Sequence, residues 1–245
     1  MSDQKEQDPS TGSPRPPPGA TAQAPMFSRA AWAHILPFLV YLFFIFAVDM
    51  LGRLGFAAQD LRWMYGVKIV AVLLMLVIGY RHYTELHTFR LSLKWAGIAT
   101  LTGLAVFWLW INLNAGWMQV GTSDGFNPVT DGRIDWLMVA MRIAGAALVV
   151  PVMEELFWRA FLLRWIVDPD FENVALSRVS LTSIAITVLL FGFEHTLWFA
   201  GVVAGLAYSA LYLRQRSLWS AIIAHAVTNA VLGVWIVRSE NWAYW

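Results

Sequence analysis

The chain has 245 residues, 58% of them hydrophobic and only 13% charged, with a mean hydropathy of +0.57, so most of its length is too apolar for a soluble fold. Seventeen Lys and Arg against sixteen Asp and Glu leave no basic surplus of the kind nucleic acid requires, which excludes nucleic acid as a partner. Cysteine is absent, so disulfides, thiol nucleophiles and thiolate metal sites are ruled out, and any catalysis rests on oxygen and imidazole chemistry.

Residues 1–30 open with MSDQKEQDPSTGSPRPPPGATAQAPMFS, polar and rich in Pro, Ser and Gly. Such a segment buries too little apolar surface to offset the entropy of folding, and is read as a disordered tail. It does not read as a signal peptide, because the first apolar run comes late and is long enough to stay as a span. Residues 31–245 are read as a transmembrane helical domain.

Crossing ~30 Å of hydrocarbon takes about 20 apolar residues in a helix. Runs of that kind occur at 33–51, 64–80, 95–113, 143–166 and 218–237. Residues 180–213 fit two shorter helices with a turn near His195, or a re-entrant hairpin, which survives in a membrane only where protein or a wet cavity covers it. The expected fold is therefore all-α: a polytopic transmembrane bundle of about seven to eight segments.

With seven segments and the N-terminus in the cytoplasm, nine basic residues fall inside (Lys5, Arg15, Arg29, Arg81, Arg90, Lys94, Arg178, Arg214, Arg216). Five fall outside (Arg53, Arg62, Arg133, Arg142, Arg238). The asymmetry favours a cytoplasmic N-terminus. No internal repeat suggests a transporter built from two related halves.

The span 143–166 contains VPVMEELFWRAF, which places Glu154, Glu155 and Arg159 in oil. At ~2.5–3.5 kcal/mol per mid-span charge the trio costs roughly 8–10 kcal/mol, against roughly 5 kcal/mol returned by the strongly apolar residues of the same helix. Its polar stripe must face a bundle interior or cavity. Glu155 and Arg159, four apart with the acid first, suit a same-face ion pair. Glu154 lies about 100° around the helix and is left free for chemistry. Pro151 is expected to push away the carbonyl of residue 147, kink the helix and open space beside Glu154. The alternative is a structural Glu155–Arg159 clamp with Glu154 merely solvated.

FGFEHTLWFAG supplies His195, with Phe191 one turn earlier; HAVTN puts His225 and Asn229 on one face of the last span. A lone histidine in such a place is ordinarily a hydrogen-bonded packing residue. The spans 143–166 and 218–237 centre near Glu154 and near position 227, however, so Glu154, His225 and Asn229 share a depth. Gly201 and Gly205 form GxxxG, read as close helix packing without a chemical role. Asp49 is read as an interface residue, and Trp158 and Trp198 as possible borders of the site.

HExxH, the Gly-x-Ser-Gly of rhomboid-like enzymes and paired intramembrane aspartates are all missing. One free Glu, two His and an Asn suffice to hydrolyse an amide with water. A carboxylate out of water is the stronger base, so Glu154 and His195 are candidates to deprotonate water, and His225 and Asn229 to stabilise an oxyanion.

EExxxR (Glu154, Glu155, Arg159), FxxxH (Phe191, His195) and HxxxN (His225, Asn229), in this order on successive apolar segments, resemble the CAAX-protease and bacteriocin-processing membrane peptidases, the CPBP or Abi family. The resemblance covers about residues 143–237. It implies an all-helical intramembrane endopeptidase with Glu154, His195, His225 and Asn229 in catalytic positions and Glu155, Arg159 and Phe191 in support. The substrate would be a hydrophobic, lipidated or membrane-anchored protein or peptide in a lipid bilayer, and the location an integral position in a bacterial inner membrane. The VMEELFWRAFLLRW neighbourhood is similar to a subgroup related to the prenyl proteases and found beside exosortase systems. The family has been described both as metallopeptidases and as metal-free glutamate-dependent enzymes. Glu154, His195 and His225 would make a three-ligand zinc site, whereas Asn229, a poor zinc ligand, favours the reading without a cofactor. The alternative from another class is a non-catalytic scaffold or immunity protein that binds peptides in the same cavity.

Overall fold

The structure, a computed structural model, describes residues 27–87, 89, 91–121 and 125–245. The tail read as disordered lies outside the described residues as far as position 26, as do Lys5, Arg15 and Arg90 of the charge count.

Seven helices of more than ten residues run through the described chain: α1 (Arg29–Arg53), α2 (Met64–Gly79), α3 (Leu93–Asn112), α4 (Trp136–Trp165), α5 (Leu181–Phe193), α6 (Trp198–Gln215) and α7 (Leu218–Ser239). Five are long and apolar enough to cross a membrane, α2 with its flanking 3-10 turns spanning Ala58–His82. They agree with the apolar runs of the sequence. Residues 180–213 resolve into the two shorter helices α5 and α6, joined by a turn at 194–197. The protein is a helical membrane bundle, with seven segments at the lower bound expected.

Helix starts are set by polar caps. Ser28, Ser92, Asp135 and Ser180 accept from backbone amides of the first turns of α1, α3, α4 and α5, satisfying donors that oil leaves orphaned. Half of the apolar window of α7 is buried inside the bundle, against 17% for α1 and for α3, so α7 is the central helix. It lies along α3 where Gly103 permits contact: a Cβ there would stand 2.4 Å from the Ala224 carbonyl oxygen. The α5–α6 pair closes in the same way, since a Cβ on Gly201 would meet Gly192 Cα at 2.9 Å.

The bundle has two distinct ends. At one, Tyr83 donates to the Ala33 carbonyl (2.8 Å) and Glu85 meets both His34 and Arg164. At the other, the 113–135 connection, with its short strand pair β1 (Val129–Thr130) and β2 (Arg133–Ile134), meets the residues after α7: Phe126 N donates to Trp242 O (3.3 Å) and Asn114 Nδ2 to Tyr244 Oη (3.1 Å).

α4 departs from the sequence expectation in an informative way. Two π-helical stretches, Gly145–Val149 and Leu156–Leu162, interrupt it on either side of Glu154, a distortion frequent at functional sites. In the first, Val150 N bonds to Gly145 O, five residues back. The next bond of that register would run from residue 151 to Ala146 O, and Pro151 has no N–H. Pro151 therefore frees the carbonyl of residue 146, not that of 147, because the helix is already in the wider register when it reaches the proline.

Candidate active site

Between α4, α5, α6 and α7 lies a cavity of about 190 Å³ whose walls include Glu154, His195, His225 and Asn229. That is room for several waters. The four side chains nominated from the sequence, on three separate helical segments, thus reach one space. Glu154 is 4% exposed, and its Oε2, without a hydrogen-bond partner among the described residues, is 4.0 Å from His225 Nε2.

Glu155 turns away from Glu154 into the protein. Its Oε1 takes Arg159 Nη1 at 3.1 Å and His225 Nδ1 at 2.9 Å, and Arg159 and Glu155 are both fully buried. The i,i+4 pair is present, but it also has a third member, His225. Arg159 extends further to the Gly205 carbonyl at 3.4 Å and places its guanidinium 4.3 Å from the centre of the Phe191 ring. Gly205, read as packing only, therefore supplies an acceptor as well.

The two imidazoles are oriented by the same device. A backbone carbonyl only accepts, so His195 Nδ1, 2.8 Å from Phe191 O, carries the proton and donates it. Its Nε2 then keeps a lone pair. Glu155, ionised beside Arg159, likewise accepts from His225 Nδ1–H, which leaves Nε2 of neutral His225 as an acceptor too. Donation from His225 Nε2 requires the imidazolium, and Glu155 on Nδ1 is placed as its counter-charge. Phe191 joins both rings, 4.9 Å from His195 and 6.2 Å from His225 between centroids.

Asn229 Nδ2 donates to Ala146 O at 2.8 Å, the carbonyl that Pro151 leaves over. One amide proton is spent there and the second remains. The proline of α4 thereby locks the amide of α7 in place.

Several contributors to the site were missed in the sequence. Tyr208 stacks on His225 (5.0 Å, 18°) and donates to Thr228 Oγ1 at 2.8 Å. Its spacing after Gly201 and Gly205 puts it on their face, which was the available signal. Glu194, next to His195, is an electrostatic neighbour of Glu154. Lys68, the single charged residue of α2, was passed over although an intramembrane cation is a functional candidate by default. Trp158 packs against Phe38 and Phe191, and Trp198 against Phe193; neither is part of the cavity wall. Asp49 pairs with Arg53 at 2.9 Å on the exterior.

A zinc ion needs ligand atoms about 2.0–2.2 Å from one point. Among the described residues no three His, Asp or Glu side chains are grouped closely enough to hold a metal, so Glu154, His195 and His225 as placed do not form the three-ligand set.

Residues 136–231 match the family model described as type II CAAX prenyl endopeptidase Rce1-like. Neither curated proteins nor solved structures give a match. The matched stretch begins at the first residue of α4 and contains Glu154, His195, His225 and Asn229. The match covers residues 136–231 of the 245, and it is this stretch that is similar to the type II CAAX prenyl endopeptidases.

Proposed function

We propose that Glu154 and His195 activate a water that hydrolyses a peptide bond of a hydrophobic, lipidated or membrane-anchored substrate, with His225 and Asn229 stabilising the oxyanion. The observation that carries this reading is the shared cavity: a buried carboxylate oxygen with no hydrogen-bond partner among the described residues, the Nε2 atoms of two oriented imidazoles and an amide held on Ala146 O around one space. Water gives a proton to the Glu154–His195 pair as its oxygen attacks the scissile carbonyl carbon. The tetrahedral oxyanion receives hydrogen bonds from Asn229 and from His225 in its imidazolium form. Collapse breaks the C–N bond, the stored proton passes to the leaving nitrogen, and a carboxylic acid and an amine result. Such donors are ordinarily worth ~10²–10³ in rate each. The scheme needs no cofactor.

The test is turnover of quenched peptides, S-farnesylated and unfarnesylated, by purified protein in liposomes, with and without a chelator. Cleavage by the wild type that persists in chelator and vanishes in Glu154→Gln supports the scheme. Full activity in Glu154→Gln removes it. Binding without turnover by the wild type supports the scaffold reading instead.

A bacterial inner-membrane location with a cytoplasmic N-terminus is part of the same proposal. Tyr244 and Trp245 line the cavity, so this orientation puts its mouth on the outer side. The chain lacks cysteine, which makes the test direct: Asn241→Cys in intact cells should react with an impermeant maleimide and Ser177→Cys should not. The reverse pattern inverts the topology.

A further inference from the structure

One side of the cavity is closed by a piece of chain that belongs to none of the seven helices. The wall is built from α1 to α7 and from His195 in the 194–197 turn, and is completed by Tyr244 and Trp245, which follow the end of α7. Glu240 ends that helix at φ 56°, a left-handed conformation that is costly for a residue with a Cβ. The chain turns back there. A single 3-10 turn, Trp242–Tyr244, then packs Tyr244 on Trp235 of α7 (5.2 Å between centroids) and brings both aromatic side chains to the cavity.

What holds this segment is slight. Phe126 N donates to Trp242 O at 3.3 Å, Asn114 Nδ2 donates to Tyr244 Oη at 3.1 Å in an exposed bond, and Trp245 meets the Phe126 ring edge-on at 5.9 Å. No residue from 240 to 245 is fully buried. Water replaces an exposed hydrogen bond at little loss, and a segment without buried side chains stands at the low end of local stability. Its seat on the neighbouring loop is nevertheless close, since a Cβ on Gly125 would collide with Trp242 O.

The volume requires the wall to move. At about 190 Å³ the cavity is smaller than the ~300–1,000 Å³ of sites that enclose a small organic ligand, and polypeptide threaded past Glu154 and His195 needs at least as much. Helices in close glycine contact, α3 on α7 and α5 on α6, yield less readily than a segment held by two hydrogen bonds and ring edges. We propose that residues 241–245 are a displaceable cap, which closes the cavity of the empty protein and leaves the 125–126 backbone when the polypeptide substrate enters. The need for opening rests on the peptidase reading above; the closure does not.

Two measurements test the cap, one of them independent of turnover. The first places a thiol on the cavity wall, Leu232→Cys, in a chain with no other cysteine, and follows its reaction with a hydrophilic maleimide in detergent micelles. Ending the chain after Glu240 should speed labelling by ~10-fold or more, the factor expected when an open state populated at about a tenth becomes the only one. Gly125→Ala, whose methyl strikes Trp242 O, should shift labelling in the same direction with the segment still present. It keeps the test open if the shortened chain does not fold. The second measurement is kcat/KM of both altered chains, without the added thiol, on the best-cleaved quenched peptide; it should rise by a similar factor, mainly through KM. Equal labelling of the unaltered and both altered chains overturns the cap. Faster labelling with cleavage unchanged or lost means that substrate does not enter past these residues, and overturns it as well. Faster labelling in proteins that never cleave leaves the closure standing and removes the peptidase reading.

Discussion

His225 Nδ1 and Arg159 Nη1 converge on the same oxygen of Glu155, at 2.9 and 3.1 Å. A carboxylate shared between a guanidinium and an imidazole fixes which ring nitrogen of His225 carries its proton, and links the ion pair of α4 to the face of α7 that lines the cavity. Glu155→Gln leaves Arg159 charged and buried without a counterion, so it should destabilise the protein by ~3–5 kcal/mol. His225→Gln leaves the Glu155–Arg159 pair intact and should cost only ~1–3 kcal/mol. Thermal unfolding in detergent micelles checks the order, and a larger loss in His225→Gln would contradict the shared-carboxylate account.

The Asn229–Ala146 bond makes a second prediction. Asn229→Ala should cost ~1–3 kcal/mol by leaving a partly buried carbonyl without a donor. Replacing Pro151 by Ala restores the amide that this carbonyl lacks. In the Pro151→Ala background the asparagine substitution should therefore cost ~1 kcal/mol less, and a double-mutant cycle measures the coupling. Strict additivity would show that the proline and the amide act independently.

Part of this site was legible in the sequence and part was not, for physical reasons. The price in free energy of Glu154, Glu155 and Arg159 in oil announced a buried polar stripe, and matched depth along two spans brought His225 and Asn229 to its level. The five long spans followed from apolar length alone. The register of α4 did not: a π turn arises from how a helix settles among its neighbours, so the freed carbonyl at 146 was assigned to 147. The sharing of Glu155 was hidden as well, because i,i+4 spacing reports contacts within a helix and says nothing of a ring arriving from α7. Tyr208 and Lys68 belong to the same class, since their partners, His225 and Tyr41, lie on other helices.

At the opposite end of the bundle, Glu85 ties the 83–87 turn to α1 and α4. Burial alone pushes its carboxyl up, but His34 Nε2 at 3.6 Å and the Arg164 guanidinium beside it outweigh burial and hold it at about 2 against an ordinary 4.5. A carboxyl with a depressed folded-state value stabilises fully above its unfolded value and loses that contribution as pH falls through the folded one. Between pH ~4.5 and ~2, then, the wild type should lose about 3 kcal/mol that Glu85→Gln does not. Unfolding of both proteins at pH 6, 4 and 3 checks this: the gap between them should close as the solution is acidified.

The central claim is that Glu154 and His195 serve one water in one cavity. Residues that act as a unit lose their effects non-additively, so the decisive measurement is kcat/KM for Glu154→Gln, His195→Ala and the double variant on the same cleaved peptide. Each single change should lower the rate by at least ~10³-fold, and the double should be no slower than the worse single. Multiplying losses, or a Glu154→Gln enzyme that cleaves at the wild-type rate, would contradict it.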